Sequence, residues 1–251
     1  VSAAALETRG LCKNFGALTV ADDINFRLEA GARHALIGPN GAGKTTFVNM
    51  LTGALPPSSG RIVLGGEDIT AMGQAKRVKR GLGRTFQINE LFRRLAVLDN
   101  VALAVAERRG VAQRMLRAAS THADVRAESM ELLATLGLAA DASVRILDLP
   151  YGKQRLVEIA IALGLKPRVL LLDEPAAGVP SLESHGILQV LDKLPEHIAI
   201  LIIEHDMDLV FRFAQRITVL VQGEVLVQGP PEEIAKDRRV HQVYLGEQHH
   251  G

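Results

Sequence analysis

Ala35-Leu36-Ile37-Gly38-Pro39-Asn40-Gly41-Ala42-Gly43-Lys44-Thr45-Thr46-Phe47 is the stretch that decides the fold. Consecutive apolar residues entering a glycine-rich turn read as a buried parallel strand that runs into a helix. Gly38 to Thr45 match G-x-x-x-x-G-K-[ST], and Phe47, Val48 and Leu51 recur at helical spacing, the strand, loop and helix context which that pattern requires. The glycines let backbone N–H groups turn inward around phosphate oxygens, and the helix N-terminus adds partial positive charge. Lys44 is spaced to reach terminal phosphates, and the Thr45 hydroxyl is a ligand for Mg2+. The expected phosphate-binding set is Gly38, Pro39, Asn40, Gly41, Ala42, Gly43, Lys44, Thr45 and Thr46.

Outward from this loop, Val169-Leu170-Leu171-Leu172-Asp173-Glu174 is a second buried strand, delivering two carboxylates at its end. Asp173 is expected to hold the hydrated magnesium, because a hard cation prefers oxygen ligands and keeps several waters. Glu174 is expected to orient the attacking water and act as its general base beside the γ-phosphate. Nearer the start, Ile24, Phe26 and Leu28 alternate with Asn25, Arg27 and Glu29, the pattern of an antiparallel strand with one wet face. Between 95 and 163 the composition shifts to Ala, Leu and Arg at helical spacing, with Leu132, Leu133 and Leu136 stopped by Gly137 and a stripe of Leu156, Ile159, Ala160 and Leu163.

The expected fold is therefore α/β, a P-loop NTPase (RecA-like) core with an N-terminal antiparallel β subdomain and an inserted helical subdomain. Residues 1–251 form one domain: core and antiparallel parts at 1–94 and 164–228, the helical subdomain at 95–163, and a C-terminal tail at 229–251. With 29 Lys and Arg against 28 Asp and Glu, the net charge of +1 gives no general case for nucleic acid as partner. The single cysteine, Cys12, excludes an internal disulfide and a Cys-based zinc site. The apolar runs at 168–172, 197–203 and 217–221 fall far short of the roughly 20 residues of a membrane helix. Lys76, Arg77, Lys79 and Arg80 read as a solvated basic face, with contact to anionic headgroups or a membrane protein as the alternative.

The order of these motifs resembles the ABC transporter ATPase family, over essentially the whole chain. The resemblance implies ATP and Mg2+ as ligands and adds three site residues. Phe15 stands where the family stacks an aromatic ring on adenine; the other reading is an ordinary core Phe. Gln87, in Arg84-Thr85-Phe86-Gln87, stands where a glutamine reaches toward magnesium and water and senses the transmembrane partner. His205 matches the histidine that contacts the γ-phosphate.

Two segments depart from the family. Its Leu-Ser-Gly-Gly-Gln signature is Leu149-Pro150-Tyr151-Gly152-Lys153 here, without the serine hydroxyl that would meet the ATP of the opposite subunit. Gly152 and the helix dipole remain. The aspartate that ends the loop after the catalytic Glu is replaced by Pro180.

Tyr151-Gly152, Arg84-Thr85-Phe86-Gln87, Glu174-Pro175-Ala176-Ala177-Gly178, Glu204-His205-Asp206-Met207 and Tyr244-Leu245-Gly246-Glu247 together resemble the LivG-type ATPase of branched-chain amino acid importers. That implies an Mg-dependent ATPase at the cytoplasmic face of the inner membrane, attached peripherally. Its partners would be a second ABC ATPase subunit in a heterodimer or homodimer, transmembrane permease subunits and a periplasmic substrate-binding protein. Two alternatives remain: the ATPase of a lipid or lipopolysaccharide exporter, which shares the Tyr-Leu-Gly-Glu tail, and a soluble ABC-type ATPase acting on DNA or the ribosome. The latter generally carries tandem cassettes or a long coiled-coil insert, and neither is visible in the sequence.

Overall fold

A computed structural model of the chain describes residues 4–85, 91–111, 123–179 and 181–246. Strands β1 (Ala4–Phe15), β2 (Leu18–Glu29) and β3 (Arg33–Ile37) lead to helix α1 (Lys44–Thr52), followed by β4 (Ser59–Leu64), β5 (Glu67–Asp68), α2 (Gln74–Lys79) and β6 (Leu82–Arg84). Helices α3 (Val97–Arg108), α4 (Ala123–Thr135) and α5 (Tyr151–Gly164) come next. The chain ends with β7 (Val169–Asp173), α6 (Ser181–Asp192), β8 (Ala199–Ile203), α7 (Met207–Phe213), β9 (Arg216–Val221), β10 (Glu224–Gly229), α8 (Pro231–Ile234) and α9 (Arg238–Gly246). These elements fall into two compact units: Val1–Leu82 with Arg168–Glu174 and Glu196–Gly251, and Gly83–Pro167 with Pro175–Pro195.

The first unit holds both sheet types. An antiparallel sheet runs β2-β1-β4-β5, and a second sheet runs β10-β9-β3-β8-β7-β6, its last strand beginning at Leu82. β3 pairs in parallel with β8 and β9, and β7 in parallel with β8. β3 and β8 are buried at every position, which is why β8 and the Ala35–Ile37 end of β3 are continuously apolar rather than alternating, although β3 opens with Arg33 and His34. In β2, by contrast, Ile24, Phe26 and Leu28 are buried while Asn25 and Arg27 are exposed. The two sheets share one core that includes Leu6, Phe26, Phe47, Met50, Leu171 and Leu201. Phe26 of β2 meets Phe47 of α1 edge-on, ring centroids 5.5 Å apart at 76°. His34 lies in the same interior, its Nε2 2.8 Å from Thr218 Oγ1, and burial together with the Arg216 charge lowers its pKa to about 3.

The basic segment of α2 corrects the expectation of a solvated face. Lys76, Lys79 and Arg80 are exposed, but Arg77 is 1% exposed. Its Nη1 donates to Met50 O and Leu51 O at 2.6 Å, its Nε to Met72 O at 2.7 Å and its Nη2 to Thr70 O at 2.9 Å. Met50 and Leu51 lie in the last turn of α1, at the negative end of the helix dipole, and Met50 O also accepts from the Gly53 N–H at 3.2 Å. Burial lowers the Arg77 pKa and the Asp68 charge raises it.

In the second unit, α3, α4 and α5 pack together, and α5 buries Val157, Ile159, Ala160 and Leu163. Glu128 of α4 ties this unit at one corner, accepting from Arg108 Nη2 at 2.7 Å and from Arg109 Nε at 2.9 Å, with Lys166 Nζ 3.1 Å away. Burial pushes the Glu128 carboxyl up, but the hydrogen bonds from Lys166, Arg109 and Arg108 outweigh it and hold the pKa at about 2. Among the described residues, no helix is long and apolar enough to cross a membrane.

Candidate functional site

Between β3 and α1 the loop of residues 38–43 forms a tight cradle. Gly43 is the N-cap of α1 at φ +95°, and a Cβ there would stand 2.7 Å from Val20 O. At Gly38 a Cβ would come within 2.1 Å of Leu220 O. Both positions therefore exclude any side chain. Phe47 N to Gly43 O, 2.8 Å, is the first bond into the helix, so the N–H groups of Lys44, Thr45 and Thr46 lie ahead of the intrahelical ladder. Lys44 Nζ folds over the loop, donating to Gly38 O at 2.6 Å and Pro39 O at 2.9 Å. Backbone donors, an ammonium group and the positive end of a helix converge here, a constellation suited to polyanionic phosphate.

The register of the parallel strands brings the carboxylates to the same edge. Ile203 of β8 pairs with Leu36 of β3 on one side and with Asp173 of β7 on the other. Two strand spacings thus separate the start of the phosphate loop from Asp173, roughly 10 Å. Carboxyl ends of parallel strands are where open α/β sheets bind ligands. Glu174 follows at φ +47°, uncommon for a residue with a side chain, and its N–H donates to Ile203 O at 2.9 Å. His205 Nδ1 stands 3.6 Å from Glu174 Oε1, with both side chains solvent-accessible. Beneath them Glu204 is 2% exposed, and its Oε2 accepts from the His205 N–H at 3.2 Å.

Asp206 then caps α7, accepting from Asp208 N at 3.0 Å and Leu209 N at 3.3 Å, which fixes the chain on the far side of His205. The oxygens of Thr45 and Asp173 are the donor type a hard dication takes, so these residues fit Mg2+.

Phe15 ends β1 beside a tight turn into β2 and is 51% exposed, which removes the reading of it as a core residue. Lys13 Nζ lies 5.0 Å from its ring centroid. Gln87 and Pro180 lie outside the described residues.

The signature segment belongs to the second unit. Pro150 is the N-cap of α5 and supplies no side-chain cap. The helix begins with Gln154 N to Pro150 O at 3.1 Å, and Gln154 Nε2 donates to Leu149 O at 2.8 Å. Tyr151, Gly152 and Lys153 precede that first bond, so their N–H groups open the helix. Tyr151 Oη accepts from Arg155 Nη2 at 3.1 Å, and a Cβ on Gly178 would stand 3.3 Å from its ring. Lys153 Nζ donates to both Asp141 oxygens at 2.8 Å.

The sequence patterns assign no role of their own to Asp206, quoted only within its motif, or to Gln154. Asp206 carried a signal, an Asp just before the Met207 to Val210 turn, whereas Gln154 carried none beyond its neighbours.

A family model described as "ABC transporter" matches residues 21–177, and one described as "Branched-chain amino acid ATP-binding cassette transporter" matches residues 224–250. The High-affinity branched-chain amino acid transport ATP-binding protein BraF of Pseudomonas aeruginosa is 39% identical over 251 residues, spanning 96% of this chain and 98% of BraF. Escherichia coli K12 LivG, which carries the same description, is 36% identical over 250 residues, spanning 96% of this chain and 98% of LivG. The solved ADP conformation of MJ1267, an ATP-binding cassette of an ABC transporter, superposes with a TM-score of 0.85 at 28% identity, covering 97% of this chain and 99% of that one.

Proposed function

Since the chain belongs to the ABC transporter ATP-binding family, we propose that it is the ATP-hydrolysing subunit of an importer for branched-chain or related apolar amino acids. The observation that carries the substrate class is the likeness to BraF along nearly the whole of both chains.

In this reading the phosphate loop and Lys44 bind the β- and γ-phosphates, and the exposed face of Phe15 stacks on adenine. Thr45 and Asp173, joined by Gln87, would hold Mg2+, which when bound neutralises developing charge on the phosphate oxygens. Glu174 takes the proton of the attacking water, and His205 beside it donates a hydrogen bond toward the γ-phosphate. Leu149, Pro150, Tyr151, Gly152 and Lys153 present the N-terminus of α5 to the ATP of a second ABC ATPase subunit, so turnover requires a pair. The pair docks on permease subunits at the cytoplasmic face of the membrane, with a periplasmic binding protein supplying substrate.

The test is to co-express the chain with the membrane and ATPase subunits encoded beside it, reconstitute them in vesicles with the cognate binding protein, and measure leucine uptake driven by Mg-ATP. Uptake is expected from the parental complex and is expected to vanish in Lys44→Ala, whose far-ultraviolet circular dichroism stays native. Uptake or hydrolysis at the parental rate with Lys44→Ala would overturn the phosphate-loop assignment. Hydrolysis without uptake of any branched-chain or other apolar amino acid would overturn the substrate class.

A further inference from the structure

The phosphate loop takes part of its shape from a hairpin at the far end of the sequence. Between β9 and β10 the chain reverses through Gln222 at φ +49° and Gly223 at φ +85°. Two positive φ values in a two-residue loop are the hairpin geometry that follows sheet twist. Gly223 N donates to Ala42 O at 3.0 Å, inside the phosphate loop, and Gly223 O accepts from Asp22 N of β2 at 2.9 Å. A Cβ on Gly223 would stand 2.5 Å from Val20 O. The absent Cβ of Gly43 would itself face Gly223 Cα at 3.5 Å, and Leu220 O of the same hairpin closes on Gly38. One hairpin therefore bounds both ends of the loop and one of its carbonyls, and is itself tied to β2.

We propose that the Gln222–Gly223 turn is a positioning element for the phosphate loop, and that Gly223 sets nucleotide affinity without touching nucleotide. The Ala42 carbonyl and the Gly43 N–H share one trans peptide plane and point in opposite directions. Fixing that carbonyl on Gly223 N therefore aims the Gly43 N–H away from the hairpin, and the donor is oriented before ligand arrives. A donor held in place in advance loses less freedom on binding. The proposal rests on the reading of the loop as the ATP site.

Gly223→Ala tests it, with Gly60→Ala as the matched control. Gly60 sits at φ +87°, and a Cβ there would stand 2.2 Å from Gly10 O, so the control meets equivalent backbone strain and collision in the antiparallel sheet. Titration calorimetry with Mg-ADP on the full chain, at a temperature where circular dichroism shows both variants folded, should give about a tenfold or greater rise in Kd for Gly223→Ala. Gly60→Ala should stay within about twofold of the parent, even though both variants melt at lower temperature. Parental affinity in Gly223→Ala, or an equal loss in Gly60→Ala, would overturn the proposal. Absence of binding by the parent would overturn the ATP-site reading, and this one with it. If Gly223→Ala does not fold, hydrogen exchange on the parent decides: the Gly223 amide should exchange at least about fivefold more slowly when Mg-ADP saturates the chain, and an unchanged rate would refute the role.

Discussion

At Pro150 two physical losses coincide. Ser at an N-cap would accept a helix N–H and would also offer a hydroxyl to an anion, whereas Pro does neither. Pro150→Ser should therefore gain about 1 kcal/mol from capping and lose a similar amount through a more flexible unfolded chain. Thermal unfolding should show a net change within about 0.5 kcal/mol. ATP hydrolysis by the assembled transporter should nevertheless rise about tenfold, since a hydrogen bond to a charged group contributes about 1.5 to 3 kcal/mol. An unchanged rate would mean that the N–H groups opening α5 already suffice. Glu174→Gln should keep nucleotide affinity while slowing single-turnover hydrolysis at least about a hundredfold, because an amide cannot take the proton. Unchanged single-turnover hydrolysis would remove Glu174 from that role.

α1 is held at both ends, by the phosphate-loop cradle at its start and by Arg77 at its finish. Arg77→Met keeps most of the stem volume but takes a donor from the carbonyls of Leu51, Thr70 and Met72 and leaves Met50 O with the Gly53 N–H, and should cost about 3 kcal/mol. Urea unfolding should show a lower midpoint at unchanged slope. Arg77→Lys should recover only part of this, because a single ammonium cannot reproduce the planar fork. A midpoint within error of the parent for Arg77→Met would show that the carbonyls of Leu51, Thr70 and Met72 find other partners.

The glycine-rich turn from β3 into α1 was legible in the sequence because its determinants are contiguous and its strand and helix flanks obey their own periodicities. β8 and the Ala35–Ile37 end of β3 were legible because a strand covered on both faces favours an unbroken apolar run. Arg77 was not, since α2 is too short for its pattern to reveal an inward face, and four basic residues in five positions look like surface. Gly223 was not either: Gln-Gly before a strand signals a turn, but nothing local says which distant carbonyl that turn meets.

Acid should affect the two units in staggered windows that overlap below about pH 4.5. His34, in the first, has a folded pKa of about 3 against an ordinary value near 6.5, so the unfolded chain binds a proton the folded chain refuses. Its contribution is complete above about pH 6.5 and is lost toward pH 3, at up to about 1.4 kcal/mol per pH unit. Glu128, in the second unit, is held at about 2 against 4.5, so its contribution is complete above about pH 4.5 and lost as pH falls toward 2.

Urea unfolding at pH 7 and pH 5.5 should differ for the parent and differ much less for His34→Gln; equal differences would assign the acid sensitivity elsewhere.

The left-handed backbone at Glu174 has a different reach. A side chain at that φ costs about 1 to 2 kcal/mol, of which glycine would return part after its own entropy is counted. Laboratory evolution for heat resistance alone, with no demand for transport, should therefore discard this glutamate early, whereas a population that must feed on the transported solute cannot follow that route.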